Sequence, residues 1–295
     1  MAPTDPAPAA ARDALAGVRA VILDADGVLI FKGEPLPGAA AALRTLRDAG
    51  VPFRIVTNFS SAHRETLAVR FGRGGFPVDP GRIVTAASSA AAYTAARYPG
   101  EPLFVLAVPD ARREFDGQRL LTAAEAADPG ASAAAVVIGD AGHDLSFENL
   151  DAAYGLIRRG AAFLAMHRNP WWFTPKGPTL DAGAAVAGLE FALGRPALVL
   201  GKPSPEVFLQ AAATMAQELG ARLPRRAVLM VGDDPLADLR PARRLGMRTA
   251  LVLTGKVAPD AVDRAVEQAR FTPDVIAVDV AAVIDALIPG APSAR

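Results

Sequence analysis

Cysteine is absent from all 295 residues. That excludes a disulfide framework, a thiolate nucleophile and a cysteine-ligated zinc site, and it agrees with a reducing compartment. An excess of either charge is also missing, since 31 Lys and Arg stand against 31 Asp and Glu. No basic footprint for nucleic acid and no polybasic face for a membrane is therefore expected. Long apolar runs are lacking too: none approaches the ~18 residues of a membrane span. The opening Met1-Ala2-Pro3-Thr4-Asp5-Pro6-Ala7-Pro8 has no basic region followed by an apolar segment, so it does not read as a signal peptide. These absences predict a soluble, cytoplasmic protein with a disordered leader over 1–17 and a flexible tail over 289–295.

What remains is ordinary globular composition, 51% apolar and 21% charged, with length enough for two domains. Strand-like runs alternate with helical patterns, the sign of a parallel α/β sheet. The opening unit reads as strand 20–23, helix 38–49, with Ala39, Leu43, Leu46 and Ala49 on one face, and strand 53–56. Ser60 or Ser61 is expected to cap a helix running to Phe71. From about Pro80 to Gly183 the elements form a self-contained set: helix 86–97, strand 103–107, a helix near 110–115, strand 134–138, helix 146–159 and strand 161–165. Helix 181–193, strand 197–200, helix 205–219, strand 227–231, helix 235–245, strand 249–253 and a helix near 279–287 close the chain. The expected division is a core of 18–80 plus 181–288 with an inserted α/β domain over 81–180.

Residues of catalytic type follow the apolar runs outside that block. In an open parallel sheet the carboxyl ends of strands line one crevice, so such residues can converge although distant in sequence. Asp24 ends the first run; it suits a nucleophile that takes a phosphoryl group, or an Asx-turn or helix cap. Asp26, two residues on, suits a general acid for the leaving oxygen and then a general base for water. Gly27 permits the loop between them and the next element. Thr57 and Asn58 end the second run, where a hydroxyl and N–H groups suit a phosphoryl oxygen or simply lead into the next helix. Lys202 suits an anionic transition state or a solvated loop, and Ser204 with Pro205 starts the helix that follows.

Asp233 sits where a hard cation would need it. Asp24, the backbone carbonyl of Asp26 and Asp233 would supply the protein ligands to Mg²⁺, with Mn²⁺ accepting the same oxygens. Asp234 reads as the cap ahead of Pro235. Asp238 reads as a group behind the ligands, orienting a metal-bound water or holding Lys202.

The set Asp24-x-Asp26-Gly27, Thr57-Asn58, Lys202 and Gly232-Asp233 with Asp238 resembles the haloacid dehalogenase-like hydrolases. The insertion falls between the Thr57 and Lys202 motifs, which resembles the NagD-like subfamily with a large α/β cap. Three stretches are most similar to the phospholysine phosphohistidine inorganic pyrophosphate phosphatase branch: Gly201-Lys202-Pro203-Ser204-Pro205-Glu206, Val231 to Asp238, and Leu245-Gly246-Met247-Arg248 leading to Thr254-Gly255-Lys256. Some animal members of that branch lack the second aspartate of the first motif, whereas Asp26 stands here. The resemblance implies a Rossmann-like, doubly wound parallel core with a cap domain that sets substrate choice. It also implies Mg²⁺-dependent phosphatase chemistry through an aspartyl phosphate on Asp24.

Within the cap, His167, Arg168, Asn169, Trp171, Trp172 and Lys176 are the candidates for gripping an anion and stacking on a ring. Alternatively, the two tryptophans anchor the cap or form a dimer contact. A small phosphorylated metabolite is the expected partner, and the resemblance leaves a homodimer through the cap open. Substrates with P–N or P–O–P anhydride bonds and a non-catalytic, metabolite-binding or regulatory role are the alternatives. A phosphomutase is disfavoured by the short stretch between Gly27 and Thr57, and a dehalogenase by Asp26 and the Asp233 cluster.

Overall fold

Ala20-Val21-Ile22-Leu23 is apolar at every position, and the strand Ala20–Leu23 is buried at every position. Strands that read as unbroken apolar runs belong inside a parallel sheet covered on both faces. In the computed structural model, which describes residues 8–174 and 177–290, this strand is an inner member of a six-stranded sheet. The order is Val275–Ala277, Arg248–Val252, Val228–Gly232, Ala20–Leu23, Phe53–Thr57, Ile83–Thr85. Ala20–Leu23 runs parallel to both neighbours, with Leu23 in register with Val231 on one side and Ile55 on the other. From this strand the order goes one way to Phe53–Thr57 and the other way to Val228–Gly232. The gap between Ala20–Leu23 and Val228–Gly232 is thus the switch point at which open α/β sheets place ligands.

Two units divide the chain, and each has its own parallel sheet. One comprises 8–57, Ala68–Val84 and 203–290; the other comprises Asn58–Leu67 and Thr85–Lys202. In the first, Ile22, Val56, Met230 and Leu251 pack with Val207, Phe208, Ala211 and Met215 of the helix Pro205–Glu218. Each such fully buried Val, Leu, Ile, Phe or Met side chain contributes about 1.5–3 kcal/mol over leaving it exposed. Ser204 caps that helix through Glu206 N–H, with Pro205 in its first turn. The second unit has a four-stranded parallel sheet in the order Leu198–Val199, Ala162–Ala165, Ala135–Ile138, Leu103–Leu106. Phe104, Val136, Ile138 and Phe163 face helices Phe147–Arg158 and Gly183–Leu193. Val105, Val137 and Leu164 face helix Ala86–Arg97 and Phe115.

The structure departs from the sequence expectations at several points. The leader is not disordered throughout: Pro8–Leu15 is a helix whose Ala11 and Leu15 are buried, packed on the helix Val280–Leu287. Residues 1–7 and 291–295 lie outside the described residues. The helix and strand expected over 181–193 and 197–200 lie in the second unit, not with the core. Leu198 and Val199 pair with Leu164 and Ala165, and Val186 and Leu189 enter the second unit's core. Neither Ser60 nor Ser61 starts a helix; it begins at Arg64, and the Ser60 hydroxyl meets His167 Nε2 at 2.8 Å. The single helix expected over 235–245 is a π-helical turn Pro235–Leu239 followed by Arg240–Arg244. Pro241 explains the break, because it lacks the N–H that a continuous helix would donate backwards. Short strands Ile83–Thr85 and Val275–Ala277, the helix Val262–Ala269 and the hairpin of Trp171–Thr174 with Gly177–Leu180 are additional to those expected.

Candidate active site

Asp24 follows the last residue of Ala20–Leu23, and its N–H donates to Val231 O at 2.9 Å, continuing the ladder one step past the strand. The carboxylate is thereby delivered to the switch point beside the end of Val228–Gly232, where Asp233 follows. Asp238 returns to the same place because the wide turn Pro235–Leu239 brings residue 238 back beneath Gly232; a β-carbon on Gly232 would lie 2.6 Å from Asp238 Oδ2. Asp24, Asp233 and Asp238 are 6%, 3% and 0% exposed. One carboxylate oxygen from each lies within 4.8 Å of the others. Three buried carboxylates this close repel strongly in a poorly screened setting. All the donors are hard oxygens, which is the ligand set that suits Mg²⁺ or Mn²⁺. Asp238 therefore stands beside the candidate ligands rather than behind them.

Glycines shape the cradle. A β-carbon on Gly27 would fall 2.3 Å from Asp233 Oδ2, and one on Gly255 would fall 2.0 Å from it. Gly27 also has φ +78°, which favours glycine. The Asp24 Oδ1 atom accepts from Ala25 N–H at 2.6 Å. Asp26, exposed on the same loop, bridges to Ile30, and Gly27 N–H donates to Ile30 O at 2.6 Å.

Asp234 is the expected cap: its Oδ1 accepts from Leu236 and Ala237 N–H at 2.8 and 3.0 Å. Its Oδ2 accepts from Lys256 Nζ at 2.7 Å. Burial pushes the Asp234 carboxyl up, but the Lys256 ammonium and the two N–H donors outweigh it and hold the group below its ordinary value. Lys256 answers in kind: desolvation pulls it down, and the bond to Asp234 with the charges of Asp233 and Asp238 carries it above its ordinary value.

Thr57 is the buried last residue of Phe53–Thr57 in the first unit. Asn58 and Lys202 are brought together in the second. Asn58 Oδ1 accepts from Lys202 N–H at 2.7 Å, and Asn58 Nδ2 donates to Lys202 O at 2.9 Å. Gly201 makes this approach feasible, since a β-carbon there would lie 2.5 Å from Met166 O and 2.7 Å from Asn58 Oδ1. The Lys202 residue is 5% exposed.

The cap candidates divide. His167 is 1% exposed; its Nδ1 accepts from Asn169 N–H at 3.3 Å, while Nε2 meets Ser60. Burial lowers its pKa, against the opposite pull of Asp181 and Asp140. His167 thus sits inside the unit's framework. Arg168 donates to Glu190 Oε2 at 2.6 Å and keeps half its side chain exposed. Trp171 and Trp172 are 51% and 40% exposed on the hairpin, and Lys176 lies outside the described residues.

Sequence reasoning assigned no site role to Thr254, Gly255 or Lys256. Lys256 N–H donates to Asp233 Oδ2 at 2.7 Å, and Thr254 Oγ1 donates to Gly27 O. Their position just past Arg248–Val252, the strand beside Val228–Gly232, was the available signal.

A family model described as "Haloacid dehalogenase-like hydrolase" matches residues 21–120, and a related one matches residues 199–283. A phospholysine phosphohistidine inorganic pyrophosphate phosphatase of Xenopus laevis is 33% identical over 250 residues, covering 82% of this chain and 86% of the relative. Chronophin of Rattus norvegicus is 36% identical over 256 residues, covering 84% and 80%. Among solved structures, NagD from the E. coli K-12 strain superposes with a TM-score of 0.75 at 26% identity, covering 89% of this chain and 97% of that one. By its sequence relatives, its fold and its motif order, the chain belongs to the haloacid dehalogenase-like hydrolases, in their NagD-like subfamily, and is an enzyme of the phosphatase type.

Proposed function

We propose that the chain hydrolyses a small phosphorylated metabolite in two steps, through an aspartyl phosphate on Asp24 and with a divalent cation. The observation that carries this reading is the convergence of Asp24, Asp233 and Asp238, each buried, within 4.8 Å at the switch point of the sheet. Those three carboxylates, with the backbone carbonyl of Asp26, would hold Mg²⁺ or Mn²⁺. Once bound, the cation neutralises charge on the phosphoryl oxygens.

Asp24 attacks phosphorus and the P–O bond to the leaving group breaks, its electron pair going to that oxygen. Asp26, protonated at this stage, donates its proton there. Asp26 then takes a proton from water as the water oxygen attacks phosphorus; the bond to Asp24 breaks, releasing inorganic phosphate and restoring the carboxylate. The hydrogen bond from Ala25 N–H holds Asp24 Oδ1 during both steps. By the family's motif order, Lys202, Thr57 and Asn58 supply charge and donors to the transferring group. Asp26 supports ordinary ester hydrolysis. The name of the Xenopus relative supports, as a second reading, P–N or P–O–P anhydride substrates.

Half-exposed Trp171 and Trp172 support a stacking role in substrate choice. A homodimer through the inserted unit is supported by helix Gly183–Leu193, whose exposed positions Ala184, Ala187, Gly188, Phe191 and Ala192 form an apolar face.

Phosphate release from an aryl phosphate and from a metabolite panel including pyrophosphate, with and without Mg²⁺, tests the reading. Metal-dependent release that Asp24→Asn abolishes is expected. Near wild-type turnover by that folded variant, or none by the wild type across the panel, would overturn it.

A further inference from the structure

The chain places two adjacent aspartates beside the acidic centre and treats them differently. Asp233 contributes an oxygen to the trio with Asp24 and Asp238, whereas Asp234 does not. Both Asp234 oxygens are engaged: Oδ1 by Leu236 and Ala237 N–H, Oδ2 by the Lys256 ammonium at 2.7 Å. The same lysine reaches Asp233 through its backbone, N–H to Oδ2 at 2.7 Å. Gly255, just before it, is what lets the backbone come so near.

We propose that Lys256 is a positioning residue that sorts the pair: its N–H fixes one oxygen of Asp233, and its ammonium keeps Asp234 from becoming a further ligand. The inference rests on the reading that the trio holds the cation. Its consequence is selectivity. Mg²⁺ takes six oxygens in strict octahedral geometry and keeps waters, whereas Ca²⁺ accepts six to eight, often with additional or bidentate carboxylates. A centre with three aspartates and a restrained fourth favours the smaller ion. Releasing the fourth offers Ca²⁺ an extra anionic oxygen that Mg²⁺ cannot use as readily. Lys256 has 68% of its side chain exposed, so the ammonium can be altered without opening a core.

The test is calorimetric titration of the full chain with MgCl₂ and with CaCl₂, without substrate, for wild type, Lys256→Met, Lys256→Arg, Asp234→Asn and the Lys256→Met/Asp234→Asn double variant. Lys256→Met is expected to tighten Ca²⁺ relative to Mg²⁺ by about tenfold, the scale on which groups behind metal ligands act. The double variant is expected to return the ratio to wild type, because the released carboxylate is gone. Lys256→Arg and Asp234→Asn are expected to keep the wild-type ratio within about threefold. Should Lys256→Met fail to fold, Asp234→Asn still decides: a loss of Mg²⁺ affinity of about tenfold would make Asp234 a ligand and overturn the proposal. An unchanged ratio in folded Lys256→Met overturns it while leaving the metal centre intact. A wild type that binds neither ion removes the metal centre and the proposal with it.

Discussion

The Thr254 hydroxyl donates to the backbone carbonyl of Gly27 at 2.5 Å, joining two loops 227 residues apart in sequence. One loop carries Asp24 and Asp26, and the other carries the Lys256 N–H that holds Asp233. The bond therefore fixes the spacing between the loop of Asp24 and the acidic pair. Thr254→Val removes it at nearly constant volume. The expected cost is about 1 kcal/mol of stability, the net worth of a typical hydrogen bond. The expected loss in kcat is larger in proportion, roughly ten- to a hundredfold, because small misplacements in a reacting geometry are costly. Thr254→Ser should recover most of both, as read by urea unfolding and steady-state kinetics.

Gly255→Ala puts a methyl group 2.0 Å from Asp233 Oδ2 and 2.8 Å from its β-carbon, too close for the side chain to keep its place. Asp233 must rotate out of the trio, so Mg²⁺ affinity should fall by about ten- to a hundredfold while circular dichroism stays native. Gly72→Ala is the control, since nothing lies within 4 Å of its position in the helix Arg64–Arg73. That change should be neutral or stabilising by up to about 1 kcal/mol, with metal affinity unaffected.

His167 ties stability to pH. Burial holds its folded pKa below the ordinary 6.5, with Asp181 and Asp140 pulling the other way. Below 6.5 the unfolded chain therefore binds a proton that the folded chain refuses. Stability rises with pH wherever the unfolded state binds more protons. This contribution is fully present above the unfolded value and is lost as pH falls from there toward the lowered folded value. Urea midpoints measured from pH 7.5 down to 5 should decline in the wild type, and part of that decline should vanish in His167→Gln. Parallel declines in the two proteins would show that His167 is not responsible.

Leu15 is 2% exposed in a segment whose composition resembles a disordered leader. Leu15→Ala should cost about 2–4 kcal/mol in chemical unfolding, as buried leucine truncations do. A loss within 0.5 kcal/mol, the range of surface substitutions, would mean that the helix does not dock in solution.

Much of the architecture was legible because the core strands are apolar runs that stop at polar residues. Ala20–Leu23 before Asp24, and Val228–Gly232 before Asp233, show both the sheet and the crevice. What sequence hid was pairing and backbone. Leu198 and Val199 look like any short strand, and only their partners Leu164 and Ala165 assign them to the second sheet. Ala11 and Leu15, one helical turn apart, are too few apolar residues to outweigh the surrounding Ala and Pro. Lys256 acts on Asp233 through an N–H that every residue except proline possesses, so no residue type signals it. Nothing in the sequence marks the wide turn before Pro241 that brings Asp238 beside Asp24 and Asp233.

Rapid acid quench of a single turnover followed by peptide mass spectrometry tests most directly whether Asp24 is the phosphoryl acceptor in a cation-dependent hydrolysis. One added phosphoryl group is expected on the peptide containing Asp24, formed only with Mg²⁺ and absent in Asp24→Asn. Phosphate release at full rate with no such adduct, or an adduct on another residue, would contradict that role for Asp24.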